Sequence, residues 1–119
     1  VSDNLLQRLA ASWRITVIAI AMPSPDYTVP WARIVPAQLF QDWMGRLVLR
    51  GLCQDDPPDI TVVFMDPWVY EMFHEGAPAD IPMVGYLPVD GYNMKAAPAL
   101  ASLRHAIFLS PFALREARA

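Results

Sequence analysis

The chain has little cysteine, little charge and no long apolar run. Cys53 is its single cysteine, which excludes an internal disulfide framework and makes a cytosolic setting the simplest expectation. A lone small thiol of this kind reads as a buried or half-buried side chain rather than a reactive group. Charged residues make up only 18% of the 119, and hydrophobic residues 55%. That balance is too apolar for disorder and sufficient for a sizeable core, with apolar surface left over for a partner. A basic block is missing as well. Arg8, Arg14, Arg33, Arg46, Arg50, Arg104, Arg115 and Arg118 are scattered and the formal charge is −3, so nothing favours bulk nucleic-acid binding. No apolar run approaches the roughly 20 residues of a transmembrane helix. Ile15 to Met22 imitates a signal-peptide core, but a helical pattern precedes it where a short basic leader would stand. Also absent are GxGxxG, a Gly-Lys-Ser/Thr phosphate cradle, Gly-x-Ser-x-Gly, and a second His or Cys at metal-ligand spacing, so no metal site is expected.

What is present is alternation. Residues 1–12 carry Leu5, Leu6, Leu9 and Ala10 at helical spacing behind Ser2 and Asp3, which suit a helix start; Val1 can staple onto Leu6. Arg14 to Ala21 reads as a strand covered on both faces. Pro23, Pro25, Pro30 and Pro36 mark Met22 to Val35 as a loop, within which Trp31 to Val35 could form a short strand. A helix is expected over Ala37 to Leu52, with Leu39, Phe40, Trp43, Met44, Leu47 and Val48 on one face, Asp42 and Arg46 paired on the other, and Gly51 as its stop. Ile60 to Met65 is a second strand. Asp66 and Pro67 then open a helix with Trp68/Met72 and Val69/Phe73 as its stripe and Gly76 at its end. Met83 to Leu87 is a third strand, Pro98 to His105 a helix, Ala106 to Leu109 a strand, and Ser110-Pro111 starts the last helix. This order predicts one α/β domain over 1–119, a Rossmann-like three-layer parallel sheet with helices on both faces.

Open α/β sheets bind ligands at the carboxyl ends of their strands. Three junctions therefore stand out: Asp66-Pro67-Trp68, Pro88-Val89-Asp90-Gly91 and Ser110-Pro111-Phe112. Each also has a plainer reading. Asp66 and Ser110 are natural N-caps, and Asp-Gly is a common turn pair. His74 and His105 fall near expected helix C-termini, where an imidazolium is favoured. Of the four tryptophans, Trp31 in the proline-rich loop is expected to be the most exposed.

Two stretches resemble the N-terminal domain of GT-B fold glycosyltransferases of the family 4-like kind. Pro58-Asp59-Ile60-Thr61-Val62-Val63-Phe64-Met65-Asp66 is similar to the family's "PDVV" strand. Ile81-Pro82-Met83-Val84-Gly85-Tyr86, then Val89-Asp90-Gly91, then Ala106-Ile107-Phe108-Leu109-Ser110-Pro111-Phe112 resembles its succession of strand, Asp-Gly, helix, strand and Ser-x-Phe. Val1-Ser2 with Leu5, Leu6, Leu9 and Ala10 looks like the tail of its "GGVS" loop and the helix that follows. The likeness implies an acceptor-side domain. Asp90 would face the acceptor and accept hydrogen bonds from sugar hydroxyls or act as a base toward one. Asp66, Tyr86, Tyr92, Asn93 and Ser110 would line the same cleft, with aromatic faces suiting sugar rings. In the family the nucleotide-sugar binds mainly a C-terminal domain, so no cofactor is expected on this half and the chain is not expected to hold a complete active site. The partner implied is a sugar or glycoside acceptor.

The likeness departs at one point with a physical consequence. The family's first strand and its loop glycines have no counterpart here, and in the order 3-2-1-4-5-6 that strand lies in mid-sheet. The sheet is then expected either to close by pairing strands that are not neighbours in that order, or to take up another chain, as in a homo-oligomer through an exposed edge. A non-catalytic α/β binding or assembly module is the alternative reading.

Overall fold

A computed structural model describes residues 2–20, 28–38, 40–88 and 98–118. The chain is α/β, with helices and parallel strands in two sheets. It divides into two compact units, Val1–Val48 and Leu49–Ala119.

In the first unit, α1 (Ser2–Leu9) precedes β1 (Thr16–Ile20), which pairs in parallel with β2 (Arg33–Ala37). β1 is made of Thr, Val and Ile with one Ala, the residues that suit a pleated surface. Pro36 lies inside β2 and Ala37 ends it, so the helix expected from Ala37 starts later. A 3-10 turn, Trp43–Gly45, comes first, and α2 runs Arg46–Asp55, its residues from Leu49 on belonging to the second unit. The delay has a local cause. Met44 (φ 59°) and Gly45 (φ 76°) are both left-handed, which no α-helix accommodates. A Cβ on Gly45 would also stand 2.8 Å from Ile18 Cγ2, so only glycine fits the turn. The reversal brings the buried Asp42 carboxylate onto the helix start, where it accepts hydrogen bonds from the Leu47 N–H (2.7 Å) and the Val48 N–H (2.9 Å). Phe40 and Trp43, expected on one face of that helix, precede α2 and are exposed, and Leu47 is exposed within it. Gly51 does not stop α2, and Cys53, expected beyond the helix, is buried within it.

In the second unit β3 (Thr61–Phe64), β4 (Met83–Leu87) and β5 (His105–Phe108) form one parallel sheet in that order. Pro67 opens a 3-10 turn, Pro67–Val69, which leads into α3 (Tyr70–Gly76). Pro98–Ser102 is a 3-10 helix rather than the α-helix expected to His105, and α4 spans Pro111–Arg118. His105 therefore begins a strand and is no helix C-terminus.

The core of this unit lies on one face of the sheet. Val69, Tyr70 and Leu87 are fully buried, each burial contributing about 1.5–3 kcal/mol. Tyr70 lies over Gly85, and its hydroxyl donates to the Val63 carbonyl at 2.7 Å. A Cβ on Gly85 would meet Leu103 Cδ1 at 2.7 Å and Tyr70 Cε1 at 3.0 Å, so the glycine is what lets the ring close on the strand. The other face is open. Val62 is 60% exposed and Phe64 56%, and Ile107 is exposed beside them. Trp13 and Trp43 are more exposed than Trp31, which is half-buried.

Every strand pairing joins sequence neighbours: β1 with β2, β3 with β4, β4 with β5. Closure by pairing strands that are not neighbours does not occur among the described residues.

Candidate functional site

Because β3, β4 and β5 run the same way, their carboxyl ends share one edge of the sheet. The register aligns Phe64 with Tyr86 and Tyr86 with Ile107, so the three strands end nearly level. Asp66 follows β3 by two residues and Ser110 follows β5 by two. They flank the end of β4, two interstrand spacings or roughly 10 Å apart along the sheet. Asp90, Tyr92 and Asn93, expected at the middle junction, lie outside the described residues.

The two flanking residues behave differently. Ser110 is an N-cap, its Oγ accepting the Ala113 N–H at 3.1 Å at the start of α4. Asp66 has the extended backbone of a cap residue (φ −60°, ψ 147°), and its carbonyl accepts the Val69 N–H at 3.2 Å. Its exposed carboxylate makes no cap hydrogen bond to the turn that follows. The capping function is thus met by the serine and not by the aspartate. Tyr86 sits on the open sheet face, its ring tilted against Phe64 with centroids 5.0 Å apart. Together they make an aromatic ledge one strand residue below the edge.

A second concave region lies at the opposite, amino ends of β4 and β5. It is a cleft of about 910 Å3 lined by His74, Asp80, Ser102 and Arg104 among prolines and aliphatic side chains. His74 Nε2 and Ser102 Oγ are 2.9 Å apart, tying the last turn of α3 to the 3-10 helix. The sequence placed His74 near a helix end but gave no sign of this partner, which is 28 residues away. A hydroxyl–imidazole contact is half of a nucleophile–base arrangement. The other half is an oriented base and donors aimed at a reacting oxygen.

Two further groups constrain what the chain can do. The first free N–H groups of α2 are occupied by Asp42, so that helix start is closed to a phosphate. Burial pushes the Cys53 thiol up, with the Asp80 carboxylate adding to it, which disfavours a thiolate nucleophile. Among the described residues no group of three or more His, Cys, Asp or Glu is placed to hold a metal ion, and no helix is long and apolar enough to cross a membrane. No protein-family model, curated protein or solved structure matches the chain, so the glycosyltransferase resemblance rests on its own residues.

Proposed function

We propose that this chain is the acceptor-holding half of a sugar transferase, which orients a hydroxyl for attack on a nucleotide-sugar held mainly by another domain. The observation that carries the reading is the level carboxyl edge of β3-β4-β5. Asp66 keeps an uncapped, exposed carboxylate there, and the Phe64–Tyr86 ledge lies beside it. A carboxylate next to an aromatic face matches a sugar ring, which has hydroxyls at its rim and an apolar face. The division of strands into a pair and a triplet supports it too, since that is what the order 3-2-1-4-5-6 leaves without its first strand. Asp90 would be the base or hydroxyl acceptor, Ser110 caps α4, and Tyr92 and Asn93 would be further acceptor contacts. The contribution of this half is positioning.

Saturation-transfer NMR of the 119-residue chain with simple glycosides tests the proposal. Contacts to sugar ring protons that weaken in Asp66→Asn and Asp90→Asn are expected. Absence of saccharide contacts, or nucleotide-sugar binding tighter than glycoside binding, would overturn it. The alternative, a binding or assembly module, is favoured by one observation, the open apolar face of Val62, Phe64 and Ile107. A chain that binds no sugar but self-associates would point there.

A further inference from the structure

The free edges of the two sheets are not equivalent. In the pair, Arg33 N–H bonds to the Ile15 carbonyl at 3.0 Å, so Arg33, Val35 and Ala37 direct their backbone groups toward β1. Ile34 and Pro36 then face outward, and Pro36 has no N–H to offer. The outer edge of β2 is thus blunted by proline. In the triplet, Thr61 N–H bonds to the Pro82 carbonyl at 3.0 Å, so Thr61 and Val63 address β4 while Val62 and Phe64 turn N–H and C=O outward. Within β3 itself no proline or charged residue blunts this edge. Ile60-Thr61-Val62-Val63-Phe64-Met65 is six residues with no charge, proline or glycine, all β-branched, aromatic or aliphatic. The β1 outer edge is also free of proline, but most of its residues are half-buried, whereas Val62 and Phe64 are exposed.

From this we infer that the outer edge of β3 is a pairing site for β3 of a second copy of this chain. An uncharged, β-prone hexapeptide on an open edge is the kind of segment that pairs with itself. A two-fold axis relating the copies makes the pair antiparallel and joins the triplets into one six-stranded sheet, leaving no β3 edge exposed. Asp59 and Asp66 bracket the segment, so acidic ends approach each other across the pair and raising the salt concentration strengthens it. The inference goes with the assembly-module reading, because in the order 3-2-1-4-5-6 a first strand would lie against this same edge of β3.

Hydrogen exchange and sedimentation velocity on the 119-residue chain, across a hundredfold concentration range, test it. Dimer should form as concentration rises, with the Val62 and Phe64 amides gaining at least tenfold protection and the Ile34 amide gaining none. Val62→Pro removes an outward N–H and spares the β3–β4 ladder; it should give a monomer. Val62→Lys should do the same, and covers the case in which the proline variant loses its fold by circular dichroism. A chain that stays monomeric throughout would overturn the proposal. So would a dimer whose Val62 and Phe64 amides exchange as in the monomer, because contact would then run through the sheet face.

Discussion

Tyr70 shows how much one side chain can organise. It lies over Gly85, is fully buried, and donates its hydroxyl hydrogen to Val63. Gly85→Ala should cost about 1–3 kcal/mol, because the new methyl meets both Leu103 and the Tyr70 ring, and the fully buried ring has no room to move. Urea unfolding should show a lower midpoint at unchanged slope. Burial also pushes the Tyr70 hydroxyl up to about 12, although backbone groups of Met65 and Tyr86 pull the other way. The unfolded chain ionises this tyrosine near pH ~10, so between about 10 and 12 only the folded state keeps the proton. Stability is therefore full below that window and falls as pH rises through it, by about 1.4 kcal/mol per unit at its steepest. Cys53, pushed up by burial and by Asp80, works in the same direction. Tyr70→Phe should cost about 1 kcal/mol at neutral pH and flatten the alkaline fall, as read by chemical unfolding at pH 8 and pH 11.

At the scale of elements, the start of α2 departs most from expectation. Apolar spacing from Leu39 to Val48 describes a helix beginning near Ala37, yet the chain stays extended to Ala37 and then reverses through Met44 and Gly45. The deciding interaction is Asp42, whose buried carboxylate takes two N–H groups that otherwise lack partners. Asp42→Ala should destabilise by about 1–2 kcal/mol, with loss of helical signal on mild heating. An unchanged melting curve would mean that water satisfies those groups equally well. Elements marked by strong local chemistry kept their places. Met83–Leu87 has the expected bounds, Gly76 ends α3, Pro67 opens the turn before it, and Ser110 caps α4. What local chemistry did not encode was the reach of Tyr70 to Val63 and of His74 to Ser102, contacts that exist only after the sheet has assembled.

The whole molecule divides unevenly. Among the described residues the buried apolar set of the second unit includes Leu49, Cys53, Val63, Val69, Tyr70, Phe73, Met83, Leu87 and Ala113, whereas the first unit contributes Ala37. A two-stranded sheet is marginal by itself, and three strands with a covered face are not. Native-state hydrogen exchange should therefore show β1 amides exchanging at least tenfold faster than those of β4, a difference of about 1.4 kcal/mol in local opening. Equal rates would mean that the units unfold as one.

The sequence by itself determined the α/β class, the shared direction of the strands and the placing of Asp66 and Ser110 just past two of them. Hydrophobic runs, prolines and cap residues act within a few positions along the chain, so their effects can be read there. Tertiary structure alone decided that the strands separate into a pair and a triplet, and that one side of the triplet carries the core while Val62 and Phe64 face outward. Those outcomes depend on which backbone edges and side-chain faces meet across long stretches of chain. Composition and periodicity are the same whichever edge or face is left uncovered.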